Sequence, residues 1–155
     1  ADSTREMLQS MDEIVWAMNP RHESMAAPVH SFCLYADRFL GLANIAWRLG
    51  EAPAVDDFVV DSRLRHQLFL AFKEALTNVV RHSGATEVRL GIRREAGELR
   101  LSIADNGCGL PADVPTQEMD GVANMRLRLE KLGGRFEIAS EAGRGTTLRF
   151  FVPAP

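Results

Sequence analysis

Apolar residues recur three and four positions apart in four stretches of the chain, which is the pattern of helices with one buried face. This spacing predicts helices over residues 3–18, 28–42, 62–82 and 122–132. Ser83 and Gly84 end the third of these helices, and Gly133 and Gly134 end the fourth by supplying positive φ angles. Between the helices, the periodicity changes.

Alternating apolar and polar residues predict β-strands in the remaining segments. Residues 88–92 and 99–103 alternate in this way, and the Gly-containing segment 95–97 joins them as a β-hairpin. Further strands are predicted over 44–49, 136–140 and 146–152, with turns at 50–53 and 141–145 and a loop at 106–120. This order of elements predicts an α+β fold: a two-layer α/β sandwich whose mixed, mostly antiparallel sheet is covered on one face by helices.

Composition narrows the class of protein. The chain has 155 residues, of which 46% are hydrophobic and 25% charged, as expected for one globular domain with a substantial core. The net charge of −3 gives no indication of a nucleic-acid partner or of direct membrane contact. Cys33 and Cys108 lack metal-ligand spacing, which favours reduced thiols. Because the first residue is Ala1 and not Met, we expect a piece of a longer protein.

Three polar residues share one strip of the helix predicted over 62–82. Glu74, Asn78 and His82 are four residues apart, so they lie in line on the face opposite the apolar stripe. A carboxylate, an amide oxygen and an imidazole in line can hold a hydrated Mg²⁺ with its phosphates. Glu74 can also orient or deprotonate a nearby water or hydroxyl. The alternative interpretation is a solvated helix face.

A second candidate is the segment 105–109, which begins with Asp105 and contains Gly107 and Gly109. Asp105 has the same strand phase as the apolar residues of 99–103, so it points inward at the end of that strand. A carboxylate in that position needs hydrogen-bond donors, and the exocyclic amine of adenine is one. The two glycines let the backbone pass close to a flat base. An ordinary Asp-Asn-Gly turn is the alternative.

Two glycine-containing segments complete the set of candidates. Gly121 precedes the helix predicted over 122–132, and a helix N-terminus can bind phosphate through its free N–H groups. Arg126 and Arg128 lie within two turns of that end, although an ordinary amphipathic helix explains the same residues. In the segment 143–147 the glycines predict a hairpin turn, and the threonine hydroxyls can hydrogen-bond a base or a water.

In this order, the segments resemble the ATP-binding domain of sensor histidine kinases. Residues 72–82 resemble its N box and residues 105–109 its G1 box. Residues 121–126 are similar to the G2 region of the nitrate-sensor subfamily, and 143–146 to the final Gly-rich turn. The segment 11–20 is similar to the stretch that precedes this domain in a group of those kinases. The resemblance thus extends over nearly the whole chain.

The resemblance implies a Bergerat-type ATP-binding fold, which gyrase, heat-shock chaperones and mismatch-repair ATPases share, with ATP and Mg²⁺ as its ligands. It implies that Glu74 acts as base or polariser and that Asn78 ligates the Mg²⁺. The positions that it implies for nucleotide binding are Asn78, Arg81, His82, Asp105, Gly107, Gly109, Gly121 and Thr146.

The resemblance also assigns these positions to parts of the nucleotide. Asp105 reads the adenine amine and Thr146 lies near the base, whereas Arg81 and His82 approach the phosphates. The three glycines shape the pocket and its lid. The lid, about 110–120, has no Phe-containing F box, and Met119 stands where many relatives have glycine.

The implied activity is transfer of the γ-phosphate to a histidine on an upstream dimerisation helix and then to an aspartate of a response regulator. We therefore expect residues 1–20 to be the remnant of a dimerisation helix with its linker, and 21–155 to be the ATP-binding domain. A homodimeric full-length protein and a cytoplasmic location are implied as well, and the parent protein can carry a membrane anchor elsewhere. The alternatives are a serine kinase of the anti-sigma-factor type and a degenerate, non-catalytic nucleotide-binding module.

Overall fold

The part of the chain that the structure describes contains three α-helices, a π-helical turn and five strands. This computed structural model describes residues 26–51, 62–110 and 120–153. The predicted helix over 3–18 lies outside these residues, as do 52–61 and 111–119. In chain order the elements are α1 (Ala26–Leu42), β1 (Ala46–Glu51), α2 (Ser62–Asn78), a π-helical turn (Val79–Ser83), β2 (Glu87–Glu95), β3 (Glu98–Asp105), α3 (Asp120–Lys131), β4 (Arg135–Glu141) and β5 (Gly145–Pro153).

The five strands form one sheet in the order β1-β2-β3-β5-β4. β1 runs parallel to β2, and the other three pairings are antiparallel. Ala96 and Gly97 connect β2 to β3 as a two-residue turn, and both have positive φ, at 50° and 78°. The hairpin predicted through 95–97 is therefore confirmed.

The helices cover one face of the sheet because the strands bury every second side chain. On β3, Leu99, Leu101 and Ile103 are each 1% exposed, whereas Arg89 and Arg93 on the neighbouring strand are exposed on the other face. The helices place an aromatic cluster over this apolar face, in which the Phe32 and Phe72 rings stack with centroids 4.9 Å apart. The predicted two-layer α+β sandwich is confirmed. None of the helices within the described ranges is long and apolar enough to cross a membrane.

Two local expectations are wrong. A turn is predicted over 50–53, but Gly50 and Glu51 continue strand β1, with a register irregularity between Leu49 and Glu51. The rest of that turn lies outside the described residues. Gly133 has the expected positive φ of 76°, but Gly134 does not. Gly134 is needed for space instead, because a Cβ there would overlap the backbone carbonyl of Phe151.

Candidate functional site

One cleft of about 610 Å³ brings the predicted site residues together. It lies between the C-terminal half of α2 with its π-helical turn, the C-terminal end of β3, the N-terminal end of β5 and the start of α3. The predicted residues that line it are Glu74, Asn78, Arg81, His82, Asp105, Gly109, Gly121 and Thr146. Gly107 is not among the lining residues, but it supports the wall that carries Asp105.

The helix wall of the cleft consists of Glu74, Asn78, Arg81 and His82. Glu74 and Asn78 are half-buried, and the next two are exposed. Within the described ranges, none of these four side chains makes a hydrogen bond or ion pair. Their polar atoms are therefore available to a ligand in the cleft. At Gly121 a Cβ would lie 2.8 Å from Glu74 Oε1, so α3 begins directly beside that carboxylate, and a larger residue there would displace the Glu74 side chain.

The helix predicted over 62–82 changes its geometry within the segment that lines the cleft. After Asn78 the α-helix becomes a π-helical turn, Val79–Ser83, and Gly84 ends it in the left-handed region with φ 64°. Single π-helical turns occur frequently at functional sites. This turn changes the direction of Arg81 and His82 relative to a continuous α-helix. The sequence pattern did not reveal it, because apolar spacing reports helicity and not the number of residues in a single turn.

Ser83 connects the π-helical turn to the loop after β3. Its hydroxyl donates to Val79 O at 2.6 Å and accepts from Ala85 N at 3.0 Å. Its carbonyl accepts from Cys108 N at 2.8 Å. A Cβ at Gly107 would overlap the backbone of Ser83, so glycine permits this contact. Ser83 is a structural residue of the site that the sequence analysis missed, and its place directly after the helical motif is the signal that could have found it.

The loop wall begins with Asp105 at the end of β3. Asp105 is half-buried, and its Oδ1 accepts a hydrogen bond from Gly107 N at 2.9 Å. The next residue, Asn106, holds the loop in place: its Oδ1 accepts from Thr86 N at 2.9 Å and from Glu87 N at 3.0 Å. The Asp-Asn-Gly turn is thus present. It also presents the Asp105 carboxylate to the cleft, as the strand phase predicts.

The hairpin between β4 and β5 packs directly on this loop. Gly143 N donates to Cys108 O at 2.8 Å. Gly145 has φ 107°, and a Cβ there would overlap the carbonyl of Asp105. These contacts place Thr146 on the wall of the cleft, where its hydroxyl lies 3.0 Å from that of Ser140. The two predicted glycines and the threonine therefore belong to one packed unit with Asp105.

The two arginines of α3 point to other parts of the protein. The Arg126 guanidinium lies 5.2 Å from the centroid of the Phe136 ring and donates to Phe136 O at 3.3 Å. Arg128 donates to Gln67 Oε1 at 2.6 Å. Neither lines the cleft, which supports the interpretation of these arginines as part of an ordinary amphipathic helix.

Apolar side chains complete the cleft beside Asp105. They form a hydrophobic surface next to a carboxylate, which suits a flat heteroaromatic ring with a hydrogen-bond donor on its edge. These residues are Ile103, Val122, Met125, Ile138 and Leu148.

The two cysteines are free thiols in different environments. Cys108 is exposed and lines the cleft. Cys33 lies on α1, away from the cleft, and burial raises the pKa of its thiol. The expectation of reduced thiols stays a prediction.

The donor set near Asn78 limits how a cation could bind. Within the described ranges, no three side chains among His, Cys, Asp and Glu are arranged to hold a metal ion. Mg²⁺ keeps several waters and binds through one or two protein oxygens together with phosphate oxygens. The Asn78 amide and the Glu74 carboxylate, side by side on the cleft wall, fit that mode of binding.

Comparison with known proteins identifies the family. Residues 64–155, more than half of the chain, match the family described as Histidine kinase-, DNA gyrase B-, and HSP90-like ATPase. The chain belongs to this family of ATPases, which confirms the resemblance seen in the motifs.

The relatives include sensor kinases. The chain is 33% identical over 99 residues to the sensor histidine kinase LiaS of Bacillus subtilis (strain 168) and to the sensor protein VraS of Staphylococcus haemolyticus (strain JCSC1435). Each match covers 64% of this chain and 28% of the relative. The chain therefore matches less than a third of the length of these relatives.

Solved structures support the fold. A blue-light activated histidine kinase of Erythrobacter litoralis EL346 matches 77% of this chain and 39% of its own, with TM-score 0.66 and 24% identity. The histidine kinase AdeS of Acinetobacter baumannii matches 98% of this chain and 79% of its own, with TM-score 0.66 and 14% identity. At these identities the likeness establishes the shared architecture.

Proposed function

We propose that this chain binds Mg·ATP and presents the γ-phosphate for transfer to a histidine of a dimerisation domain, as the catalytic domain of a sensor histidine kinase. The observation that carries the proposal is the composition of this cleft. A carboxylate beside an apolar surface and four polar side chains that make no hydrogen bond or ion pair within the described ranges line the same cleft. Membership of an ATPase family and the names of its sensor-kinase relatives favour this activity over a serine kinase or a non-catalytic module.

The base binds at the end of the cleft that contains Asp105. One carboxylate oxygen accepts from Gly107 N, and the other is left to accept from the amine of adenine. Thr146 contributes a hydroxyl beside it, and the apolar side chains of the cleft cover the faces of the ring. Gly107, Gly109 and Gly121 provide the space that this arrangement needs: the first two lie in the loop, and the third lies where α3 meets Glu74.

The phosphates bind along the helix wall. Mg²⁺, when bound, neutralises phosphate charge that develops during transfer. Asn78 holds it through the amide oxygen, and Arg81 and His82 approach the phosphates. Glu74 lies one helical turn before Asn78, where it orients the attacking group or accepts its proton. Phosphoryl transfer depends mainly on positioning and charge, so these side chains are a sufficient set.

The longer protein supplies the other components. We infer that residues 1–20 belong to a preceding dimerisation helix and its linker and that 21–155 form the ATP-binding domain. The phosphoacceptor histidine lies on the dimerisation helices of a homodimer, and the phosphate passes from it to a response regulator. This activity places the domain in the cytoplasm.

Nucleotide-dependent stability tests the binding step. Mg·ADP at 100 times its dissociation constant stabilises a native protein by about 2.7 kcal/mol, which raises Tm by about 5–10 °C for a chain of this size. We expect this shift with Mg·ADP and a smaller one with Mg·GDP at the same concentration. No shift with either nucleotide at millimolar concentration would contradict the proposal.

Radiolabel transfer tests the kinase step. With ATP labelled at the γ-phosphate, we expect no phosphate on this chain by itself, because the acceptor histidine lies elsewhere. Full-length protein should become labelled with an acid-labile, base-stable phosphate. Label on the isolated chain, or an acid-stable phosphate on the full-length protein, would exclude the histidine-kinase mechanism.

A further inference from the structure

The hydroxyl of Ser140 lies where three segments of the cleft wall meet. It accepts a hydrogen bond from Leu110 N at 2.7 Å. It also lies 3.0 Å from Thr146 Oγ1 and 3.3 Å from Gly145 O. Leu110 and Thr146 both line the cleft, whereas Ser140, on β4, is exposed to solvent and does not line it. Ser140 therefore contacts the residues that surround the base without lining the cleft itself.

A serine hydroxyl has one proton to donate and two lone pairs to accept with. The Leu110 N–H group occupies one lone pair, which leaves one lone pair and one proton for the other neighbours. Two acceptors of the protein lie within reach of the Ser140 proton, the carbonyl oxygen of Gly145 and Thr146 Oγ1. Ser140 Oγ lies 3.0 Å from Thr146 Oγ1 and 3.3 Å from Gly145 O, so Thr146 is the nearer acceptor.

The choice between these acceptors determines what Thr146 offers to a ligand. If Ser140 donates to Thr146, the Thr146 proton is left to point into the cleft as a donor. If Ser140 donates to Gly145 O, the Thr146 proton turns back to Ser140, and only a lone pair faces the ligand. The Ser140 hydroxyl thus determines whether the Thr146 hydroxyl donates or accepts toward the cleft.

We propose that Ser140 is a positioning residue for base selection: it donates to Thr146 Oγ1 and thereby makes the Thr146 hydroxyl a hydrogen-bond donor toward the base. This inference rests on the proposed function, since it concerns the base-binding end of the same cleft. Asp105 accepts and Thr146 donates, so the two side chains form an acceptor–donor pair. Adenine matches that pair, because it carries an amine donor next to a ring nitrogen that accepts.

Guanine has the opposite arrangement at the same edge, with a carbonyl acceptor next to a ring N–H donor. A wall that presents acceptor and then donor therefore favours adenine over guanine. Without the Ser140 hydroxyl, Thr146 can rotate and serve as donor or acceptor, and the preference between the bases decreases. Gly109 leaves room for the Ser140 hydroxyl, because a Cβ there would lie 3.1 Å from Ser140 Oγ.

The experiment measures Mg·ADP and Mg·GDP dissociation constants by calorimetry for the unaltered chain and for Ser140→Ala, Ser140→Thr and Thr147→Ala. One neutral hydrogen bond corresponds to about a threefold to tenfold change in affinity.

We expect Ser140→Ala to weaken Mg·ADP binding by that factor and to leave Mg·GDP binding unchanged or tighter. Ser140→Thr retains the hydroxyl and should restore the preference. Thr147, the other threonine that the sequence made a candidate, does not line the cleft, so Thr147→Ala removes a hydroxyl from the opposite face of the strand and should change neither constant.

A second measurement covers the case in which Ser140→Ala folds poorly. Thr146→Val should lower the preference for ADP by the same factor, and the double variant should lower it no further, because the two hydroxyls act as one unit. Equal weakening of Mg·ADP and Mg·GDP binding by Ser140→Ala, or additive effects in the double variant, would overturn the assignment.

If the unaltered chain binds Mg·GDP but not Mg·ADP, both this assignment and the proposed function fail. If it prefers Mg·ADP and Ser140→Ala does not change that preference, only this assignment fails.

Discussion

The two walls of the cleft differ in how many hydrogen bonds hold their polar residues in place. In the loop wall, Asp105 accepts a hydrogen bond from Gly107 N within the loop. Asn106 bonds to the start of β2, and Cys108 bonds to the π-helical turn and to the β4–β5 hairpin. In the helix wall, Glu74, Asn78, Arg81 and His82 have no such bonds within the described ranges. One wall is fixed before a ligand arrives, and the other leaves its polar atoms to the ligand.

This difference follows from what each wall is proposed to bind. Selecting a base requires donors and acceptors at fixed positions, which many internal hydrogen bonds provide. Phosphates and Mg²⁺ carry high charge and bring their own waters, so exposed side chains on a helix can adjust to them. Substitutions in the loop wall should therefore affect both folding and binding, whereas those in the helix wall should affect binding alone.

The largest effect is expected at Asp105. Asp105→Asn keeps an oxygen that can accept from Gly107 N but loses the charge that receives the amine. A hydrogen bond to a charged group is worth about 1.5–3 kcal/mol, so calorimetry should show Mg·ADP binding weakened by about 10- to 100-fold. Glu137→Gln, which makes the same change on the exposed face of β4, is the control and should have no effect. Unchanged affinity in Asp105→Asn would remove the base site from this end of the cleft.

Gly107 tests the claim that the loop wall is structural. Gly107→Ala places a methyl group against the Ser83 backbone, so urea denaturation should show about 1–3 kcal/mol lower stability. Gly41→Ala is the matched control: nothing lies within 4 Å of the added methyl, and a helical position should gain about 0.5–1 kcal/mol. Equal stability of Gly107→Ala and the unaltered chain would mean that the contact with Ser83 is not rigid.

Asn78 tests the opposite claim for the helix wall. Asn78→Ala should leave the free energy of unfolding within about 0.5 kcal/mol, because its side chain has no described partner. It should, however, remove the enhancement of ADP binding by Mg²⁺, a loss of about tenfold or more. Titrations with magnesium and with a chelator measure this enhancement directly. A variant that unfolds, or that retains the full Mg²⁺ effect, would break the comparison between the walls.

Thiol labelling gives the smallest expected effect. Cys108 lines the cleft, so Mg·ADP at 10 times its dissociation constant should slow its modification by up to about tenfold. Cys33 is its internal control: it lies on α1, and burial raises the pKa of its thiol, so it should react slowly with or without nucleotide. Labelled positions can be identified by mass spectrometry of the digested protein. Protection of Cys33 together with Cys108 would indicate a global change and not occupation of the cleft.

The sequence predicted most of the polar residues of the site, because they occupy short, regular segments, but it did not predict the apolar residues that line the cleft. Glu74, Asn78 and His82 could be grouped from their spacing of four, and Asp105 from its strand phase. The π-helical turn and Ser140 could not be found in the same way. The π-helical turn depends on how many residues one helical turn contains. Ser140 comes close to Thr146 only because β4 pairs with β5.

The amino-acid sequence was enough to predict the α+β class, the family and most of the polar residues that line the cleft, because periodicity and motif spacing are local properties of the chain. Only the tertiary structure decided which polar atoms are held and which are left to a ligand. That distinction arises where segments far apart in sequence meet, as Ser83 meets Gly107 and Ser140 meets Leu110. Hydrogen bonds and steric contacts act at about 3 Å, and the order of residues does not show which distant segments come that close.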